Sequence, residues 1–213
     1  MALSVVFAFV SLIVSTVGTG HIPAGVIPSI SWAGDKFPES VFFGLAMVLT
    51  ATQITFVYFL YDGEFRFLWR AVLFFLALGS VVGLLILSVV SVGNDCTTHG
   101  VAALIAFFFL YAYVSLRLYI LWRNCRSREP EHDGKMRRFK ASLWILLGLF
   151  LISVPVSICC FVFFGLYAAT NDPYSLYYLF FVIFEWTAGL VVDAMHITTW
   201  AAYNVGFEQG ALR

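Results

Sequence analysis

The chain has 213 residues, of which 62% are hydrophobic, 18% aromatic and 11% charged. A soluble domain carries about 25% charged residues, so this composition excludes a soluble globular fold. It also excludes the disordered and disulfide-scaffold classes. Because the formal net charge is zero, charge does not indicate a nucleic-acid partner. The sequence therefore predicts an integral membrane protein whose partners are membrane lipids, with no nucleic acid among them.

Long apolar runs follow one another along the chain. A hydrocarbon core of about 30 Å needs about 20 apolar residues in a helix. Continuous hydrophobicity favours helices over barrel strands, whose residues alternate. We predict one domain, residues 1–213, folded as an all-α bundle of six transmembrane helices with spans at about 2–20, 40–61, 71–92, 99–122, 141–168 and 174–203.

The first run could alternatively be a secretory signal peptide. A signal peptide has a basic n-region and a small-residue cleavage site. No basic residue precedes Lys36, and the run ends without such a site. A retained first helix is therefore favoured.

Basic residues predict the orientation of the bundle. Loops rich in Lys and Arg stay in the cytoplasm, and the segment 123–140, together with the neighbouring Arg117, carries most of them. We expect both termini and this segment on the cytoplasmic side, and the segment 21–39, called loop 1 below, on the lumenal or exterior side. The pattern does not select between endolysosomal, Golgi, ER and plasma membranes.

A basic cluster precedes the fifth predicted span. Such clusters attract anionic lipid headgroups at about 1 kcal/mol per charge. The alternative is that these charges serve the topology alone. The cluster consists of Lys135, Arg137, Arg138 and Lys140.

Three ionisable residues lie inside the sixth predicted span. They are Glu185, Asp193 and His196, and at about 100° per residue they project into one sector. Such groups cost about 2.5 to 3.5 kcal/mol at a helix centre, so each is either a buried hydrogen-bonded structural group or a ligand or proton site. Asp193 and His196 are three residues apart and could pair. For Glu185 we predict a hydrogen bond to the second or fourth span.

Loop 1 is rich in Pro, Gly and Ser, which predicts an irregular segment rather than a helix. We expect it to form an ordered cap on the helix ends, with Trp32 inserted as an anchor. Its polar residues and the start of the fourth span could converge above Glu185. Their spacing is not that of a metal site, so neither a metal nor a cofactor is predicted. These residues are His21, Asp35, Glu39 and His99.

Gly79 and Gly83 form a small-residue face on the third span. Such faces allow close helix contact. Packing within the chain is the favoured interpretation, and contact with another membrane protein is the alternative.

Three motifs resemble a known family. The segment Pro28–Ser40 with the Val-Phe-Phe-Gly that follows resembles the first lumenal loop of the FRAG/DRAM/SFK superfamily of six-span proteins, to which the damage-regulated autophagy modulators belong. His99-Gly100 resembles the start of that family's fourth span, and Glu185-Trp186 resembles its sixth. The resemblance marks as structural or binding positions Pro28, Ser31, Gly34, Pro38, Glu39, His99, Glu185 and Trp186.

The resemblance implies one class of function, and the polar residues of the chain leave a second class open. The first is a non-enzymatic membrane regulator or complex subunit, acting in autophagy, at the lysosome, in phosphoinositide-kinase recruitment or in lipid organisation. The second is a lipid-remodelling enzyme or lipid carrier, with a cavity in the lumenal leaflet around Glu185, His99 and Glu39. The first is favoured because no pair of nucleophile and base is evident in the sequence, and no residue is assigned a catalytic step.

Overall fold

The structure is a computed structural model that describes residues 7, 10, 13–14, 26–61, 67–91, 93–126, 134–170 and 172–207. This part of the chain contains a one-turn helix and five helices long and apolar enough to cross a membrane, which confirms the all-helical polytopic class. The first predicted span falls largely outside the described residues. The helices are α1 (Ile30–Ala33), α2 (Glu39–Tyr61), α3 (Phe67–Val89), α4 (Cys96–Arg126), α5 (Gly134–Thr170) and α6 (Leu176–Phe207).

Two long helices extend beyond the apolar runs that predict them. α4 continues to Arg126 and α5 begins at Gly134, so their connection is shorter than the predicted 123–140 segment. Arg117, which the sequence groups with the cytoplasmic basic residues, lies within α4 and is 5% exposed, whereas Arg123 near the end of the same helix is exposed. The Arg117 guanidinium lies 5.5 Å from the ring centre of Tyr113, a cation–π contact that helps to accommodate the charge inside the bundle.

Loop 1 contains a short helix that its composition did not predict. The Ser29 side chain accepts a hydrogen bond from the Trp32 amide at 3.0 Å and caps α1 at its N-terminus. α1 ends at Ala33 and is followed by Gly34, where a Cβ atom would collide with the Phe43 side chain of α2. Local capping and this close approach therefore turn a Pro- and Ser-rich segment into an ordered turn of helix.

Helices α2, α3 and α4 pack side by side as a three-helix unit. Glycines bring their backbones together: a Cβ at Gly44 would lie 2.9 Å from the Ser88 carbonyl oxygen, and one at Gly83 would lie 2.6 Å from the Ala106 amide nitrogen. Gly79 likewise packs against the Phe109 ring. The Gly79/Gly83 face is thus occupied by α4 of the same chain.

Helices α5 and α6 pair along their length as a hairpin, whereas the interface between α4 and α5 is small. The three-helix unit and the hairpin share a hydrophobic core at the end remote from loop 1, where Leu121, Leu143 and Met195 are buried in one cluster. Further along, the Tyr111 hydroxyl lies 2.6 Å from the Ser157 hydroxyl and links α4 to α5. Towards loop 1 a cavity lies between the two units.

Candidate functional site

Glu185 holds loop 1 against α6. Its Oε2 accepts a hydrogen bond from the Ile30 amide at 2.5 Å, while Oε1 accepts from the Ser31 amide at 3.2 Å and from the Ser31 hydroxyl at 2.5 Å. The two amides belong to the first turn of α1, where no partner exists within the helix. The prediction that Glu185 bonds directly to the second or fourth span was wrong. The three hydrogen bonds that its carboxylate accepts all come from Ile30 and Ser31 of α1.

His99 of the three-helix unit contacts Ser31, the serine that is hydrogen-bonded to Glu185. It lies in α4, is 4% exposed, and places Nε2 3.1 Å from the Ser31 hydroxyl oxygen. Its Nδ1 lies 2.7 Å from the Val90 carbonyl oxygen, and its ring stacks on Phe43. The Ser31 hydroxyl therefore connects the hairpin, through Glu185, with the three-helix unit, through His99. We call these two hydrogen bonds the Ser31 bridge.

Further contacts attach loop 1 to α6. The Trp186 indole donates to the Pro28 carbonyl oxygen at 3.1 Å, and the Ser29 amide donates to the Tyr178 hydroxyl at 3.2 Å. Trp32 packs edge-on against Tyr178 with ring centres 5.6 Å apart, as expected for an anchor. Loop 1 is thus an ordered cap held by several independent contacts.

A separate contact attaches loop 1 to the turn between α3 and α4. The Asp35 carboxylate accepts a hydrogen bond from the Gly93 amide at 2.6 Å on the exposed surface. A side chain at Gly93 would collide with that carboxylate, so the glycine permits the close approach. Loop 1 therefore spans the mouth of the gap between the two units.

The cavity beneath loop 1 has a volume of about 190 Å³. Its walls are mostly apolar, and the Ser31 bridge lies at one end. On α4 the lining runs from His99 to Leu110, which is about 16 Å at 1.5 Å per residue. The polar residues of the lining are Ser31, Thr50, Ser80, His99, Ser157, Glu185 and Asp193.

The other predicted site residues lie apart from the Ser31 bridge. His21 lies outside the described residues. Glu39 is buried at the first turn of α2, at the positive end of the helix dipole. Asp193 lines the cavity on α6 beyond Glu185. It is not paired with His196, whose Nδ1 is buried without a hydrogen-bond partner among the described residues.

The basic cluster precedes the apolar part of α5. Arg137, Arg138 and Lys140 are exposed there, and the side chain of Lys135 lies outside the described residues. Contact with anionic lipid remains a prediction. Within the ranges that the structure describes, no three His, Cys, Asp or Glu side chains are grouped as metal ligands would be.

Sequence reasoning missed three polar residues of the site. Ser29 and Tyr178 hold loop 1. Ser80 is fully buried and lines the cavity, and its hydroxyl has no hydrogen-bond partner in the described part of the chain. A serine in a membrane helix ordinarily bonds to its own backbone. No sequence signal separates Ser80 from such serines.

Outside the membrane, Asp95 caps α4. Its carboxylate accepts hydrogen bonds from the Thr98 hydroxyl at 2.5 Å and the Thr98 amide at 2.9 Å. These bonds favour the charged form and hold the pKa of Asp95 below its ordinary value. The capped turn positions His99 one residue further on.

The fold and site define a polytopic helical membrane protein with an apolar cavity under a capping loop. The family model for the Frag1/DRAM/Sfk1/Cwh43P N-terminal domain matches residues 1–202. The chain therefore belongs to this family, which confirms the resemblance carried by the three motifs. No curated protein and no solved structure gives a match.

Proposed function

We propose that the protein is a non-enzymatic membrane regulator that holds a membrane lipid in the cavity between the three-helix unit and the hairpin. The observation that carries this proposal is the cavity itself, which has long, mostly apolar walls and ends, beneath loop 1, at the polar groups of Ser31, His99 and Glu185. An amphiphile with an acyl chain along the walls and a polar group beside Ser31 fits this distribution.

The energetics favour an occupant. At about 24 cal/mol per Å³, leaving a cavity of 190 Å³ empty would cost about 4 to 5 kcal/mol. Water fills such a space poorly, since each molecule needs two to four polar partners and the walls offer few. Lipid from the side that the charge pattern predicts to be lumenal is the abundant apolar molecule at the mouth.

The distance between Ser31 and His99 also favours a second candidate, a lipid-remodelling enzyme. A serine with a histidine nitrogen at 3.1 Å is the arrangement of an activated nucleophile. However, Glu185 accepts hydrogen bonds from the Ser31 hydroxyl and from the two neighbouring amides that could otherwise stabilise an oxyanion. Because these groups are already hydrogen-bonded to Glu185, the regulator is favoured over the enzyme.

The family resemblance supplies the setting of the proposed role. We include autophagy, the lysosome and phosphoinositide-linked lipid organisation in the proposal as that setting. Its physical core is narrower, namely that lipid occupancy of the cavity determines how firmly loop 1 is closed. A partner protein would then bind differently according to whether loop 1 is open or closed.

The experiment places a large side chain in the cavity by substituting one of its lining residues. Ala103 lines the cavity on α4, whereas Val101, two residues away, faces outward and is 52% exposed. We compare Ala103→Trp with Val101→Trp after purification in mild detergent, using a photoreactive acyl-chain lipid and mass spectrometry of the cross-linked peptides.

We expect Ala103→Trp to lose most of the cross-linking to lining residues while Val101→Trp retains it. Equal labelling of both variants, or cross-links confined to outward-facing positions, would contradict lipid binding. Turnover of the bound lipid that is abolished by Ser31→Ala would favour the enzyme instead.

A further inference from the structure

The Ser31 hydroxyl has one proton and two partners. Glu185 Oε1 lies 2.5 Å from it and His99 Nε2 lies 3.1 Å from it. Because the Val90 carbonyl can only accept, His99 Nδ1 carries a proton and donates to it. The protonation of Nε2 is then linked to that of Glu185 through Ser31.

Two arrangements satisfy every contact, and both contain one extra proton. In the first, His99 is protonated at both nitrogens and donates to Ser31, which donates to the Glu185 carboxylate. In the second, the Glu185 carboxyl group donates to Ser31, which donates to the bare Nε2 of neutral His99. The same proton lies at one end of the bridge or at the other, and moving it requires no change in the positions of the heavy atoms.

Removal of that proton leaves one contact unmade. Glu185 is then a carboxylate that takes the Ser31 proton, and the bare Nε2 of His99 faces the lone pairs of the serine oxygen. The amides of Ile30 and Ser31 still bond to Glu185, so loop 1 stays on the hairpin. The lost contact is the one that joins the α1 turn of loop 1 to His99 of α4. Loop 1 still runs into α2, whose first amides donate to the Lys36 and Pro38 carbonyl oxygens, and Asp35 still accepts from the Gly93 amide at the exposed surface.

We propose that one proton shared by Glu185 and His99 through Ser31 latches loop 1 onto α4 across the cavity, and that its loss loosens loop 1 from α4 at the cavity mouth. This inference rests on the proposed function for its consequence, which is faster exchange of the bound lipid. The protein would thereby couple lipid access to the proton concentration on the side of loop 1.

Other ionisable groups surround the bridge. Asp35 of loop 1 acts electrostatically on His99, while Cys160 of α5 and Tyr178 of α6 interact electrostatically with Glu185. Glu39 is buried at the start of α2, at the same end of the bundle. None of these groups is hydrogen-bonded to the Ser31 hydroxyl, so they modulate the bridge without replacing its proton.

The test measures amide hydrogen exchange of the peptide 27–36 in lipid-free detergent, between about pH 5 and 8. Labelling times are scaled so that intrinsic exchange is equal at each pH. The variants are Ser31→Ala, which removes the bridge, and His99→Gln, whose side-chain amide donates to Ser31 at any pH. Ser115→Ala is the matched control, because its hydroxyl bonds to the Tyr111 carbonyl of its own helix.

In the wild type and in Ser115→Ala we expect exchange to accelerate about tenfold to hundredfold as the pH rises, as for loss of one charge-assisted hydrogen bond. Ser31→Ala should exchange fast at every pH, and His99→Gln should show no pH response. A wild-type profile without a pH response, or a full response in Ser31→Ala, would overturn the latch.

The failure of the latch and the failure of lipid binding are distinguishable. Exchange in loop 1 is measured without lipid, and cross-linking is measured at a single pH. A pH response without lipid cross-links would preserve the latch and remove the proposed function. Cross-links to the cavity without a pH response would preserve the function and remove the latch.

Discussion

Glu185→Ala is the perturbation whose effect follows most directly from the geometry. The carboxylate accepts two amides and one hydroxyl of loop 1. After truncation the Ser31 hydroxyl can turn to His99, but the amides of Ile30 and Ser31 lose their partner. At about 1 to 3 kcal/mol for each unsatisfied donor, the loss is about 2 to 6 kcal/mol.

Glu185→Gln separates shape from hydrogen bonding. A glutamine offers one acceptor oxygen where the carboxylate uses two, so its NH₂ group must face the amide of Ile30 or of Ser31. We therefore expect Gln to lose about half of what Ala loses.

The assay is thermal unfolding in mild detergent, followed by tryptophan fluorescence. In a chain of this size 1 kcal/mol shifts Tm by about 2 to 4 °C, so Glu185→Ala should lower Tm by roughly 4 to 24 °C and Glu185→Gln by roughly half as much. Thr187→Ala is the control on the same helix, since its hydroxyl bonds to the Ile183 carbonyl of α6. Equal Tm values for Ala and wild type, or for Ala and Gln, would refute the reasoning.

Three further predictions concern the anchoring of loop 1 by Trp32, the dependence of Tm on acid pH through Asp95, and the contact between α3 and α4 at Gly83. Trp32→Ala should cost about 2 kcal/mol, half of a fully buried Trp truncation, and should speed proteolysis of loop 1; an unchanged Tm with an intact loop would count against the anchor. Because hydrogen bonds from Thr98 hold the pKa of Asp95 below its ordinary value, its capping stabilisation is complete above about pH 4 and is lost as the pH falls through the lower folded value. Asp95→Asn should abolish that acid-side decline in Tm, and an identical acid profile would exclude the role. Gly83→Ala should destabilise the protein by about 1 to 3 kcal/mol, as is typical of overpacking, and so lower Tm by roughly 2 to 12 °C. Gly148→Ala, with no neighbour within 4 Å, should leave Tm unchanged, and equal shifts would refute the close contact of α3 with α4.

Sequence alone determined the membrane class, the all-helical fold and the family. These depend on local quantities, since a span is recognised from the length and hydropathy of its own residues, and the motifs at Pro28–Ser40, His99 and Glu185 are short and contiguous. The expectation of an ordered cap also came from local composition, although the helical turn within it depended on a specific capping bond from Ser29.

The tertiary structure decided which polar groups meet. Glu185 and Ser31 are separated by more than 150 residues, and nothing in either segment specifies the other. The residue type of Arg117 predicts a charge near the cytoplasm, but only the packing of α4 shows that its side chain is buried in the bundle. Apolar periodicity is weak in helices surrounded by lipid, because lipid-facing and protein-facing side chains are equally hydrophobic. The gap between the two helical units, and the polar residues that line it, therefore arise from packing between segments that are far apart in the chain.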